Sequence, residues 1–232
     1  MYNLKHIIFS GAYVLLPALL IFFQPELGST LILFSLWLAI LIISGIKIRH
    51  FLLLCLIVFL ISILGWSFFL KDYQKQRIFT FLKPDEVSLL ESGWNQKQAE
   101  IAIGSGGFFG KGLGKGSQTQ YGFLPEKQTD FIFASLAEET GILGILILFS
   151  LFLIFIWRII KIAMNSGNNF GRLFASGFAA LFISEIFINI AMNLGVLPIV
   201  GISLPLVSYG GAGLITAFVG LGILQSIKIE NL

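Results

Sequence analysis

The chain has 232 residues, 56% hydrophobic and only 12% charged, with mean hydropathy +0.92; soluble domains run at roughly 45–50% apolar and 25% charged, so a soluble globular domain is excluded. The formal charge of +3 comes from lysines and arginines scattered without a basic run, which argues against nucleic acid as a partner. The single cysteine, Cys55, excludes a disulfide framework, and its place inside Phe51-Leu-Leu-Leu-Cys-Leu-Ile-Val58 predicts core filling.

Six segments reach or approach the ~20 residues that a bilayer-spanning helix needs: 7–23, 30–46, 51–70, 131–160, 173–194 and 213–227. The expected fold is therefore all-α and polytopic: three spans in residues 1–70, one long polar loop over 71–130, and three spans in residues 131–232. The first apolar stretch leads straight into another without a small-residue cleavage site, so no cleaved leader is expected. Lys5, Lys47, Arg49, Arg158, Lys161, Arg172 and Lys228 fall on one side, and the short loops 24–29 and 195–212 on the other side carry no Lys or Arg. By the positive-inside rule both termini are cytoplasmic and the long loop is outside.

The turn Gln24-Pro-Glu-Leu-Gly-Ser29 places Glu26 at the outer surface. His6 and His50 both fall inside, which excludes a Ser-His-Asp triad or a histidine-ligated zinc in the outer loop. Within that loop, Lys71-Asp-Tyr-Gln-Lys-Gln-Arg77 reads as a polar helix end, and Pro84 and Asp85 mark a break. Residues 94–103 read as a short amphipathic helix, with Trp94, Gln98, Ile101 and Ala102 near one face, lying on the bilayer surface. The run Gly104-Ser-Gly-Gly-Phe-Phe-Gly-Lys-Gly-Leu-Gly-Lys-Gly116 matches neither phosphate-loop pattern in any register. It predicts either a mobile lid with solvated lysines or a backbone that brings N–H groups, Lys111 or Lys115 to an anion.

Asp130 opens the fourth hydrophobic segment and has two readings. Asp130 or Thr129 can cap the helix, although no Glu or Gln completes a capping box. Alternatively, Asp130 is a catalytic acid at the mouth of the bundle. If helix begins at Asp130, Glu138 lies on the same face ~12 Å away. That exceeds the ~5–9.5 Å of a glycosidase carboxylate pair, which leaves Glu126 as the nearer partner. In the fifth segment Glu185, Asn189 and Asn193 recur every fourth residue and should face protein or a wet cavity, most simply as interhelical hydrogen bonds. The following stretch, 195–213, is apolar but broken by two prolines and several glycines. Such a backbone should fold back among the helices beneath the long loop.

Several of these runs together resemble a known family. Gln24-Pro-Glu-Leu-Gly28, Asp72-Tyr-Gln-Lys-Gln-Arg77, Ala102-Ile-Gly-Ser-Gly-Gly107, Leu124-Pro-Glu-Lys-Gln-Thr-Asp-Phe-Ile-Phe133, Ala137-Glu-Glu139 and Leu204-Pro-Leu-Val-Ser-Tyr-Gly-Gly211 look like the SEDS proteins (shape, elongation, division, sporulation). Leu197-Pro-Ile-Val-Gly201 looks like the elongation branch, RodA; the division branch, FtsW, typically has lysine where Val200 stands. The resemblance implies a multipass peptidoglycan glycosyltransferase of the bacterial cytoplasmic membrane. It would join lipid II, a disaccharide-peptide on undecaprenyl pyrophosphate, into glycan strands beside a class B penicillin-binding transpeptidase. Asp130 matches the acidic residue that the family regards as essential.

That implication agrees with the bottom-up chemistry: a sugar hydroxyl must lose a proton as it attacks, a pyrophosphate leaves without gaining one, and so one base suffices. The leaving charge calls for a cation, either a divalent ion such as Mg or Mn or a basic side chain, for which Arg77, Lys111, Lys115 and Lys127 are candidates. Glu126 and Glu138 are the further candidates for contact with substrate. Family members usually have about ten spanning helices, and this chain starts where the fifth would begin. Roughly four more spans are therefore expected ahead of Met1, and the chain alone is not expected to polymerise. Two other functions remain open: a lipid II flippase using Glu185 and the broken segment, and a non-catalytic scaffold for cell-wall synthases.

Overall fold

The computed structural model describes residues 4–24, 27–68, 75, 79, 81 and 91–230. All six apolar segments are helices: α1 (Leu4–Phe23), α2 (Leu27–Ile43), α3 (Ile48–Phe68), α6 (Ile132–Asn165), α7 (Asn169–Asn193) and α8 (Gly211–Glu230). Between them lie α4 (Glu91–Gly106) and the single turn α5 (Ser117–Gln120). No strand occurs among the described residues. This is the arrangement that lipid demands, because an apolar run there must satisfy its own backbone groups. By length and composition α6, α7 and α8 can each cross a membrane, and the other three apolar helices are shorter over their described residues. The molecule is an integral membrane protein.

The core lies where α6, α7 and α8 meet. Phe178 and Phe182 of α7 stack in series with centroids 4.8 Å apart, and Phe155 of α6 packs on Phe182 at 5.0 Å. Gly220 lets α8 close on that stack, since a Cβ there would stand 2.1 Å from the Phe178 ring. On the other side α2 docks through a Ser35–Ser184 hydrogen bond of 3.2 Å and holds α1 through Trp37. At its amino end Gly28 lies against the carbonyl of Val200, where a Cβ would be 2.4 Å from the oxygen. Cys55 is exposed on α3, contrary to the expected core role. An apolar sequence satisfies lipid as readily as protein, so hydropathy alone does not separate the two environments.

Two expectations about the loop are corrected. The helix at 94–103 extends over Glu91–Gly106 and packs on the foot of α6. Its buried face is Gln98, Ala99 and Ala102, whereas Trp94 and Ile101 point outward. Small residues, not large ones, make that contact.

The glycine-rich run is the second correction, because its backbone forms a splint across a kink, and the anionic group its Lys111 meets belongs to the chain itself, Glu138. Gly141 interrupts α6 with φ 67 and ψ −167, which strips nearby amides and carbonyls of their helical partners. The carbonyls of Gly107 and Phe108 accept from the amides of Ile142 (3.0 Å) and Leu143 (3.3 Å). In return the amides of Lys111 and Gly112 donate to the carbonyls of Glu138 and Glu139, each at 3.0 Å. Main chains this close need glycine: a Cβ at Gly106 would lie 2.0 Å from the Ala137 oxygen, and one at Gly110 would lie 2.2 Å from that of Glu139.

Candidate active site

Asp130 sits in the turn that ends at α6, and the helix starts two residues later, at Ile132. The N-cap is Phe131, which makes no side-chain cap bond. The service comes instead from α7, where Asn193 Oδ1 accepts from the amide of Ala134 at 3.2 Å. The N-cap position is therefore neither Asp130 nor Thr129, and the helix does not begin at Asp130, as the ~12 Å spacing to Glu138 assumed.

Three successive carbonyls fix the turn. That of Gln128 accepts from the amide of Tyr209 at 2.7 Å, and that of Thr129 accepts from Ser208 Oγ at 2.7 Å. The carbonyl of Asp130 accepts from Asn189 Nδ2 (3.0 Å) and Asn193 Nδ2 (2.9 Å). Both asparagines are fully buried; they bind the main chain of the candidate acid, and Asn193 also makes the expected interhelical bond, to the first turn of α6. The broken stretch does fold back under the loop, with Ile202 and Leu204 buried and Gly195, Gly201 and Leu206 at positive φ. Gly201 lies directly beside the carboxylate, where a Cβ would be 3.6 Å from Asp130 Oδ2. Ala99, Ala102, Leu124, Phe131 and Ala134 form a small second core behind the turn. Asp130 itself is partly buried.

Glu138 has a different environment. It is fully buried and accepts from Lys111 Nζ (2.8 Å), Ser117 Oγ (3.2 Å), the amides of Gln118 (2.9 Å) and Thr119 (3.0 Å), and Thr119 Oγ1 (2.7 Å). A carboxylate so enclosed acts in this structure as an internal latch between α6 and the α5 turn. The latch also occupies Lys111, and Lys127 Nζ donates to the carbonyl of Thr119. Glu126 is exposed at φ 48 and accepts from Thr129 Oγ1 at 2.9 Å. Lys115 is exposed, with no hydrogen-bonding side-chain partner among the described residues. Arg77, Glu26 and the break at Pro84 and Asp85 lie outside the described residues. Among the described residues no three His, Cys, Asp or Glu side chains converge as metal ligands. Glu185 lines a separate cavity of about 220 Å³ between α7, α8 and the re-entrant chain, together with Ser203, Ser208 and Thr216.

Sequence reasoning singled out Asp130 and the asparagines but missed their connection, and it missed Ser208, Tyr209 and Gly201 as parts of the site. The signal available was the Ser-Tyr-Gly-Gly run itself: polar and glycine residues inside an apolar stretch at membrane depth.

Residues 2–232 match the sequence profile described as "Cell cycle protein", that of FtsW, RodA and SpoVE. The chain is 43% identical over 229 residues to the peptidoglycan glycosyltransferase MrdB of Escherichia coli strain K12, covering 99% of this chain and 62% of that protein. It is 45% identical over 163 residues to the peptidoglycan glycosyltransferase RodA of Treponema pallidum strain Nichols, covering 70% and 37%. Against the stage V sporulation protein E of Bacillus subtilis strain 168 it is 36% identical over 215 residues, covering 90% and 56%. The fold resembles a chain of a solved peptidoglycan synthase complex that coordinates polymerisation and crosslinking, with TM-score 0.77, 28% identity, and coverage of 96% of this chain and 61% of that one. It also resembles a mutant of the rod shape determining protein RodA from Thermus thermophilus, with TM-score 0.65, 26% identity, and coverage of 100% and 59%. The chain thus spans about three fifths of the length of the Escherichia coli MrdB and of the two solved chains, and less of the Treponema pallidum RodA. A profile match over residues 2–232 makes this chain a member of the SEDS family of FtsW, RodA and SpoVE.

Proposed function

We propose that this chain is the catalytic portion of a peptidoglycan glycosyltransferase that polymerises lipid II at the outer face of the bacterial cytoplasmic membrane, with Asp130 as its general base. The observation that carries the reading is the Asp130 turn. Its carbonyls are held by α7 and the re-entrant chain, the capping duty is met by Asn193, and the carboxylate of the partly buried Asp130 stands beside Gly201. In the proposed step a sugar hydroxyl attacks the anomeric carbon of a second lipid-linked sugar as its proton passes to Asp130. The bond from that carbon to the pyrophosphate oxygen breaks, and lipid pyrophosphate leaves. General-base help of this kind is worth roughly 10²–10⁴-fold.

Of the cations expected near the leaving group, Lys115 is the described one whose side chain no other described group engages. A divalent ion travelling with the pyrophosphate would need only one or two protein carboxylates, and among the described residues nothing around Asp130 forms a dedicated metal cage. Cytoplasmic termini and an outer position for the loop follow from the Lys and Arg distribution, and a class B penicillin-binding transpeptidase is the proposed partner.

The test is Asp130→Asn in the full-length polypeptide that contains this sequence, purified in detergent and supplied with lipid II. The variant should fold and insert yet make no glycan; normal polymer refutes the assignment. One observation favours a transport reading instead, namely the cavity lined by Glu185. Under that reading Glu185→Gln blocks lipid II translocation while Asp130→Asn leaves it intact.

A further inference from the structure

The geometry points to Asn189 as a positioning residue that acts through Asp130, setting where the carboxylate stands over the re-entrant chain. This inference rests on Asp130 being the base. One amide group bridges the two walls of the site: Asn189 Nδ2 donates to the carbonyl of Ile202 at 2.7 Å and to that of Asp130 at 3.0 Å. Ile202 adjoins Gly201, the residue beside the carboxylate, so the width of the site follows the reach of a single NH₂ with a proton for each wall. Asn193 reinforces the bridge. It donates to the Asp130 carbonyl at 2.9 Å and to the carbonyl of Asn189 at 2.8 Å, while its own Oδ1 receives the Ala134 amide.

Two amides in an apolar helix are costly unless satisfied. A pair that served only to join helices would spend its donors on helix, whereas these spend three of their bonds on the main chain of Asp130 and Ile202. Because the bridge touches no substrate, its loss should displace the base without weakening ground-state binding. A shift of ~1 Å in a reacting group can cost ~10²-fold in rate.

The experiment uses the full-length polypeptide in detergent with lipid II, measuring kcat and KM per folded molecule, with the folded fraction read by size exclusion and thermal unfolding. Asn189→Ala should lower kcat about tenfold or more with KM essentially unchanged. Asn193→Ala removes the second donor to the Asp130 carbonyl together with the acceptor for the Ala134 amide, but leaves the Asn189 bridge to Ile202 in place, and should lower kcat per folded molecule less; it also carries the test if Asn189→Ala does not fold. If kcat per folded molecule is unchanged, or if KM rises in step with any loss, the inference is overturned. Asp130→Asn is assayed alongside. Should that variant polymerise normally, the reading of Asp130 fails; should it be inactive while Asn189→Ala is normal, the positioning role fails alone.

Discussion

Glu138 is the residue on which the latch can be tested most directly. Replacing it with alanine removes the acceptor from five close donors, two of them backbone amides of the α5 turn and one an ammonium. Deleting one partner of a buried ion pair costs about 3–5 kcal/mol. Lys111 is 30% exposed and can turn to water, so the low end, about 3 kcal/mol, is the expected loss. For a full-length polypeptide longer than this chain each kcal/mol moves the midpoint by about 2 °C or less, giving a fall in Tm of about 3–6 °C. Glu138→Gln keeps the shape and one acceptor oxygen and should lose about half as much. The assay is thermal unfolding of the full-length protein in detergent, paired with glycan synthesis at a temperature where every variant is folded. At that temperature Glu138→Ala should retain most of its activity. A Tm unchanged within about 1 °C together with abolished synthesis would refute the latch and return Glu138 to contact with substrate.

The splint makes a paired prediction. Gly110 and Gly114 both have positive φ, at 77 and 69, but a Cβ at Gly110 would strike the Glu139 carbonyl whereas one at Gly114 meets nothing within 4 Å. Gly114→Ala should therefore cost only the left-handed penalty of about 1–2 kcal/mol, and Gly110→Ala distinctly more; equal losses in thermal unfolding would sink the splint. Ser208→Ala removes the bond to the Thr129 carbonyl and the acceptor for the Leu204 amide, so kcat on lipid II should fall several-fold with little change in KM. Lys115→Gln should raise KM for lipid II and flatten its dependence on ionic strength, with kcat nearly unchanged, as steady-state assays at two salt concentrations can show.

Helix positions were legible because an apolar run of this length has one economical conformation in lipid. The boundaries moved by a few residues at most, from 131–160 to Ile132–Asn165, for example. The return of the 195–213 segment among the helices was legible for the same reason. What remained hidden depended on contacts between main chains. Nothing in Gly106, Gly107 or Gly110 names the kink at Gly141 as its counterpart, since backbone bonds leave no residue pattern beyond the glycines that permit them. The cap was hidden in a similar way: local rules ask whether Asp130 or Thr129 caps α6, and the answer, Asn193, is 59 residues away from the amide it serves. Cys55 was misplaced because lipid and core reward the same side chains.

Asp130 and Glu138 therefore begin as two carboxylates on one short stretch and end with separate duties assigned by their surroundings. At one end of that stretch α7 and the re-entrant chain grip the main chain of Asp130 and leave its side chain beside Gly201. At the other end the α5 turn and Lys111 close on the side chain of Glu138, and the splint grips its main chain. The residues between are thus held at both ends, one clamp acting through backbone and the other mainly through a buried charge. With Asp130 as the proposed base, a carboxylate that must meet a hydroxyl within hydrogen-bond reach gains more from such a strut than from any added contact to itself. It follows that damage to either clamp should show first in turnover or stability, and that only changes at the Asp130 carboxylate should abolish the chemistry outright.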